Sequence, residues 1–516
     1  MFRKSTISGV RKATISLVTM ESRYDVIVVG AGMAGLAAVL SAVEHGVQVL
    51  LVEKAPVSQR GGNGRRSSSF RASYGDLKHV QELVASFGEK DPFSIRMPPY
   101  SNEDYYRDLM AVTQGQADPD LARTLVERSF ETLEWLKSLG VEFELNPKLA
   151  VCLEASWYYP PGSPIQIKGG GEGESLATAL FRRIEEHGVP VLYEAQVSRL
   201  LLNDAGRVVG IALEETGALK SVHSKAVILG CGGFEADSEM RKLYLGQEWE
   251  RARVRGTPHN TGDGIRLAFE AGADRAGDWG GAHAGMIDAN APEVLSNNRA
   301  VRRSYPYGII VNANGERFFD EGEDFEPLLY AKSGRAVLRQ PGGIAFQIFD
   351  EKAKNLLSPY YKDATQVVAS SVAELATELQ IDPKRLDRTI SEFNRSIADV
   401  PFNPGIKDGR CTQGITPRKS NWAQALDSPP FRAFPGVCGI TFTFGGIRIN
   451  PKAQVISVKG SPIPGLYAAG EITGGLLYHH YPLGASFMNA AVFGRIAGEQ
   501  AAWENRKPLE NRSDLV

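Results

Sequence analysis

The chain has 516 residues, 43% of them hydrophobic and 23% charged, with a formal net charge of -2. That length allows two or three domains with buried cores, and the composition is that of a globular protein. The near-neutral balance excludes a global basic field recruiting nucleic acid or an anionic membrane. The 54 glycines, many in short clusters, suit backbone that approaches a large anionic ligand closely.

Up to Met20 the chain carries Arg3, Lys4, Arg11 and Lys12, several hydroxyl residues and no acid before Glu21. Residues 1–21 therefore read as a leader. It is either a mitochondrial transit peptide or a short disordered segment, with a start at Met20 as a further reading. The expected location is intracellular, cytoplasmic or mitochondrial. From Val26 to Val43 the chain is uncharged over a length that could span a membrane. However, a Val-Ile-Val-Val run, then glycines, then an Ala/Leu-rich stretch reads as strand, turn and helix. No transmembrane segment is expected.

That turn is Gly30-Ala31-Gly32-Met33-Ala34-Gly35, a G-x-G-x-x-G between a buried strand and a helix. Gly30 permits the tight turn, Gly32 lets backbone approach a pyrophosphate, and Gly35 lets the helix pack on the strand. The pyrophosphate then sits on the N–H groups of the helix N-terminus. A second strand, 47–52, ends in Glu53, where the motif wants an acid for a ribose hydroxyl. The acid disfavours NADP but does not separate NAD from FAD. Distant clusters do that. Gly61-Gly62-Asn63 follows shortly, 226–229 is a buried strand opening into Gly230 to Gly233, and 465–469 leads to Gly470 and Glu471. Leu483-Gly484-Ala485-Ser486 then opens a helix pattern. A cofactor touched from both ends of the chain suits FAD.

The four cysteines, Cys152, Cys231, Cys411 and Cys438, lie far apart and form no zinc, haem or redox spacing. They read as reduced thiols, and no metal site is expected. The sequons at Asn394 and Asn511 read as chance matches.

From about Tyr24 to about Trp503 the sequence resembles the flavoprotein family of fumarate reductases, succinate dehydrogenases and ketosteroid dehydrogenases. Besides the fingerprint, the matching blocks are Gly61-Gly62-Asn63, 256–264, 311–321, 465–475 and 483–498. The stretches 304–308 (SYPYG), 320–325 (DEGEDF), 439–446 (GITFTFGG) and 478–482 (YHHYP) are similar to the tricarballylate dehydrogenase subgroup.

The resemblance implies an α/β fold. A discontinuous Rossmann-like FAD-binding domain covers residues 22–279 and 430–505, an inserted α+β substrate-capping domain covers 280–429, and 506–516 form a tail. Its cofactor set also takes in Ala34, Lys54, Val197, Gly232, Gly262 and Asp263. Glu471 would bind the ribityl chain, and Gly484, Ala485 and Ser486 would begin a helix facing the flavin's pyrimidine ring. Covalent attachment through histidine has no counterpart before Gly61, so non-covalent FAD is expected.

Relatives that reduce fumarate are alike in two arginines and two histidines that hold the dicarboxylate and deliver a proton. His283 matches one histidine. Phe442 stands at the second, Phe325 stands at or near the proton-delivering arginine, and Pro482 stands at the other arginine. Phenylalanine and proline cannot replace a bidentate guanidinium, which argues against fumarate reduction by that mechanism. Ketosteroid dehydrogenases are alike in two tyrosines; Tyr481 fits one, and Phe325 leaves the other unfilled.

Removing hydride from a saturated carbon beside a carboxylate or carbonyl needs a flavin, a base and donors for the developing enolate. Candidates are Tyr481, His480, His479 and Tyr478 near the expected flavin-facing helix, with His283, Arg302 and Arg303 from the cap. The neighbouring histidines could also divide into one packed and one solvated, and the Arg302-Arg303 pair could be a solvated loop. Arg65, Arg66 and Arg71 either contact phosphate or coat the surface. The leading expectation is dehydrogenation of a polycarboxylate or carbonyl compound, tricarballylate to cis-aconitate by resemblance. Enoate or enone reduction, and a flavin scaffold or electron relay without turnover, are the alternatives. With no haem or iron–sulfur motif, electrons pass to an external acceptor.

Overall fold

In the computed structural model, residues 23–84, 95–145, 150–153, 156–169, 173–215, 218–295 and 300–506 are described. The leader, nearly all of the tail and the Asn511 sequon lie outside them, as does the side chain of Cys152. The chain divides into two compact units. The first comprises Met1–Gly233, His259–Asp278 and Phe444–Val516, and the second Phe234–Pro258 and Trp279–Thr443.

The first unit is built on an eight-stranded sheet. Arg23–Val29 lies at its middle, parallel to Val49–Val52 on one side and to the end of Ala218–Leu229 on the other, with Val28 level with Leu51 and Ile228. Pro462–Ala468 extends the parallel set beyond Ala218–Leu229, and Val197–Leu202 and Val208–Glu215 continue from it as an antiparallel meander. The central strands are apolar runs because both of their faces are covered. The helix Met33–Glu44 is buried from Met33 to Ala42, which explains its unbroken apolar sequence. The uncharged run is thus a strand and a helix, and among the described residues no helix is long and apolar enough to cross a membrane. The C-terminal helix Ala485–Arg506 approaches this first helix closely. A Cβ on Gly494 would stand 2.4 Å from Ala34 O, and one on Gly498 2.3 Å from Ala38 O.

The second unit is organised by one long strand, Phe431–Thr443. Arg253–Arg255 pairs with it in parallel, and Ala282–Asp288, Ile344–Phe349 and Val367–Ala369 pair with it in antiparallel. Helix Pro383–Arg395 begins with Asp382 accepting from Lys384 N and with Pro383 at its first position, a strong start signal. Its Leu386, Ile390 and Phe393 fall on one face and pack with Ile309, Val311, Ile348 and Phe431. Burying each such side chain contributes about 1.5–3 kcal/mol.

A lysine sits in this unit without exposure. Lys419 Nζ donates to Pro306 O at 2.7 Å and Gly308 O at 2.5 Å, so it pins the 304–308 stretch from beneath. Burial lowers its amine to about 8 from the usual 10.5. Below pH 8 both folded and unfolded chains carry the charge, and the fold bears the cost of burying it. Between 8 and 10.5 the unfolded chain binds the extra proton, so stability rises with pH. Relative to Lys419→Met, the wild type should gain about 2–3 kcal/mol between pH 7 and pH 10. Denaturant titrations of both proteins across that range check this, and a constant difference would contradict it.

Candidate active site

The sharp turn after the first strand rests on backbone contacts. Gly30 has φ +97°, its N–H donates to Val52 O at 2.8 Å, and Gly230 N donates to Val29 O at 2.8 Å. A Cβ on Gly32, by contrast, would meet only Gly230 O, at 4.0 Å. The first helix has no side-chain cap and no acid in its first turn. Its leading N–H groups therefore face a space open to an anion, the arrangement that takes a pyrophosphate. Gly61 and Gly62, both at positive φ, close over it; a Cβ on Gly62 would lie 3.5 Å from Gly32 Cα, and one on Gly64 3.4 Å from Met33 N. Asn63 lies in the same short helical turn.

Glu53 is held before any ligand arrives. Its two carboxylate oxygens accept from Ala31 N and from Ala55 N, each at 2.7 Å, leaving further lone pairs for a ribose hydroxyl. Glu194 N and Ala195 N donate to Ala55 O and Glu53 O, which brings the start of the Val197–Leu202 strand beside it. Lys54 points elsewhere: Nζ donates to Thr261 Oγ1 and Asp263 Oδ2, both at 2.6 Å. Burial alone would raise the Asp263 carboxyl, but the bonds from Lys54, Thr261 and Arg266 hold it below its usual value. Lys54 and Asp263 thus act as a brace. Gly262, at φ +74°, starts the helix Asp263–Glu270 and donates to Gly233 O.

Gly232, Asn260 and Glu471 form the next group. A Cβ on Gly232 would strike the Asn260 amide at 2.4 Å, and Asn260 Nδ2 donates to Glu471 Oε2 at 3.2 Å. The neighbouring Gly470 lies against Ala34, a Cβ there standing 2.9 Å from the Ala34 Cβ. Glu471 is therefore beside the first helix's N-terminus. Cys231, in the same glycine run, is pushed up to about 12 by burial and stays a thiol.

At the start of the C-terminal helix, Gly484 has φ +89°, and a Cβ there would sit 2.6 Å from Arg71 N. Ala485 N donates to Pro482 O. Tyr481 and His480 are buried just upstream, with ring centroids 5.6 Å apart; Phe444 meets the Tyr481 ring edge-on at 6.5 Å. His479 is exposed and lies at φ +56°, between Tyr478 and His480 in a turn closed by His480 N donating to Tyr478 O. This left-handed centre is rare for a side-chain-bearing residue. The His479 ring is held by Gln116 at 2.8 Å.

In the second unit, His283 is buried beside Arg255, whose Nη2 lies 3.0 Å from His283 Nε2. Phe442, the strand partner of His283, stacks on the imidazole at 5.1 Å. Arg255 also donates Nε–H to Thr441 Oγ1 at 2.8 Å. The sequence reading missed Arg255 because only strand pairing brings it to His283. Arg302 is neither in a solvated loop nor available as an anchor. It forms a buried ion pair with Asp288 at 2.5 Å and lies over Tyr361. Arg303 follows it, half-buried. Phe325 is 38% exposed and leans on Trp422 at 5.3 Å, so an aromatic contact occupies the position at or near the expected arginine. Arg65 pairs with Glu174 at 2.8 Å, whereas Arg71 is buried, so it does not coat the surface.

A family model for the FAD binding domain matches residues 25–488. The chain belongs to the FAD-dependent fumarate reductase and succinate dehydrogenase flavoprotein family. A probable fumarate reductase of Shewanella frigidimarina is 29% identical over 490 residues, 93% of this chain and 74% of the relative. A 3-oxosteroid 1-dehydrogenase of Mycolicibacterium smegmatis is 27% identical over 568 residues, 92% of this chain and 96% of the relative. Among solved structures, the open form of a flavocytochrome c3 fumarate reductase is 27% identical with a TM-score of 0.71, covering 94% of this chain and 79% of that one. The expected α/β fold and the FAD cofactor both stand. This flavoprotein is an FAD-dependent oxidoreductase acting on CH–CH groups. Among the described residues no cluster of side chains could hold a metal ion.

Proposed function

We propose that this flavoprotein dehydrogenates a saturated C–C bond beside a carboxylate, with tricarballylate going to cis-aconitate as the leading substrate pair. The reading is carried by a buried tyrosine, Tyr481, placed three residues before the Gly484–Ala485 helix start. FAD supplies the hydride acceptor when bound, held without a covalent link by Gly30, Gly32, Ala34, Gly35, Glu53, Gly61, Gly62, Asn63, Gly232, Glu471 and the Gly484–Ser486 turn. Tyr481, with His480 beside it, moves the proton on the adjacent carbon. His283, with the Arg255 guanidinium 3.0 Å from its ring, and Arg303 are the proposed substrate anchors. Electrons then leave to an external acceptor.

Adding tricarballylate without oxygen should bleach the flavin, and acid precipitation should release free FAD. An unbleached flavin removes that substrate. The opposite direction has a specific support in the likeness to the probable fumarate reductase of Shewanella frigidimarina. Reoxidation of the dithionite-reduced enzyme by cis-aconitate or another enoate, without bleaching by any saturated acid, would favour it. In either direction Tyr481→Phe should lose about a hundredfold in kcat while KM and FAD content hold. An unchanged kcat would take Tyr481 out of the proton transfer.

A further inference from the structure

The first unit holds a guanidinium that the cofactor cradle leaves unexplained. Arg71 follows the strand Ser69–Phe70, and Phe70 stacks on Phe487 of the C-terminal helix at 4.4 Å. The Arg71 backbone is thereby fixed beneath the helix start, where its N–H donates to Gly484 O at 3.3 Å. The side chain turns the same way. Nε–H donates to Leu483 O at 3.1 Å, and Nη1 donates to the Tyr100 hydroxyl at 3.1 Å. Tyr100 in turn donates to Asp108 Oδ2 at 2.7 Å. Backbone closes another side, since a Cβ on Gly162 would stand 2.3 Å from Nη1.

This held guanidinium is incompletely neutralised. Arg71 is 9% exposed. The carboxylate paired with it, on Asp108, lies 3.9 Å from Nη1, is 46% exposed, and already accepts the Tyr100 hydroxyl. Nη2 donates to no atom among the described residues. A charge removed from water without a close counter-ion is costly, and a guanidinium edge matches a planar carboxylate in two parallel bonds. The pyrophosphate is not the missing anion. It belongs at Gly32 to Ala34, and the C-terminal helix meets Ala34 at Gly494, about 15 Å along the axis from Gly484.

We infer that Arg71 is a substrate-binding residue whose free guanidinium edge takes a carboxylate of the substrate at the start of the C-terminal helix. The inference rests on the proposed function, in which the substrate bears a carboxylate, and assigns that carboxylate a partner in this unit. It also makes Arg71 a specificity determinant, because a neutral ester or ketone would leave the charge unanswered.

The test uses the FAD-loaded full chain with Arg71→Gln and Arg71→Lys. Each protein is titrated anaerobically with tricarballylate and with its trimethyl ester, reading the flavin spectrum, and FAD content is measured independently. Tricarballylate should bind about a hundredfold more weakly to Arg71→Gln and about tenfold more weakly to Arg71→Lys. Ester affinity and FAD content should not change. Equal tricarballylate affinity in the wild type and Arg71→Gln overturns the inference and leaves the proposed function standing. A wild type that binds neither tricarballylate nor other small carboxylates overturns both. If Arg71→Gln loses FAD, Arg71→Lys decides: retained FAD with weakened tricarballylate supports the inference, while lost FAD shows a purely structural strut.

Discussion

A Gly35→Ala chain should come through purification without FAD. The added methyl would lie 1.8 Å from Gly30 O and 2.9 Å from Gly30 C, so one of two backbone segments must move by more than an ångström. The Gly30 side cannot yield. Its φ is +97°, its own Cβ position is 2.5 Å from Gly230 O, and its N–H is bonded to Val52 O. The first helix must therefore lift from the strand, carrying the N–H groups after Gly32 away from the pyrophosphate. Overpacking of this kind costs about 1–3 kcal/mol in stability, and losing the anion's hydrogen bonds adds to that in affinity. Gly46→Ala is the comparison: φ there is +76°, but nothing lies within 4 Å of the added carbon. It should keep FAD at about 1 kcal/mol of strain. Flavin absorbance per protein, with circular dichroism to confirm folding, distinguishes the two. Stoichiometric FAD in Gly35→Ala would show that the helix position is not what binds the cofactor.

The cofactor cradle was legible because its information is local. Three glycines at fixed spacing, a strand before them and an acid after the next strand specify the turn, the helix and the place of Glu53 beside Ala31 N within thirty residues. The unforeseen features are non-local. Arg255 meets His283 only because both segments pair with Phe431–Thr443. Arg71 looks like one of several basic residues in a loop until Tyr100, Asp108 and Leu483, from two other parts of the chain, surround it. Nothing around Lys419 in sequence marks a buried amine, since its acceptors are carbonyls of Pro306 and Gly308. Likewise, the positive φ at His479 has no glycine to mark it in the sequence. Arg302 shows the converse: it sits in a segment read as either an anchor or a solvated loop, yet Asp288 consumes it.

Arg317→Ala should cost about 3–5 kcal/mol, the largest stability loss expected from a single substitution outside the cofactor cradle. The 311–321 block was recognised by resemblance, and in the structure two of its residues form a buried ion pair. Arg317 and Glu321 side chains are 4% and 0% exposed, with Nη2 to Oε2 at 2.6 Å. Glu321 Oε1 accepts from Arg317 Nε at 3.1 Å and from Ile310 N at 2.8 Å. Arg317 Nη1 donates to Pro417 O at 2.8 Å, and the guanidinium lies over Phe393 at 5.1 Å. One residue thus ties the Ile309–Asn312 strand, the turn after it, the 417 segment and the helix Pro383–Arg395. Alanine removes every contact of the guanidinium and leaves the Glu321 carboxylate, still bonded to Ile310 N, buried without that counter-charge. Most of the cost is that stranded carboxylate rather than the attraction itself, so the double variant Arg317→Met with Glu321→Gln should recover a large part of it. Denaturant unfolding of the two singles and the double measures the coupling. Additive losses would mean that the two side chains contribute separately, through Ile310 and Pro417, and that their pairing is not what stabilises the block.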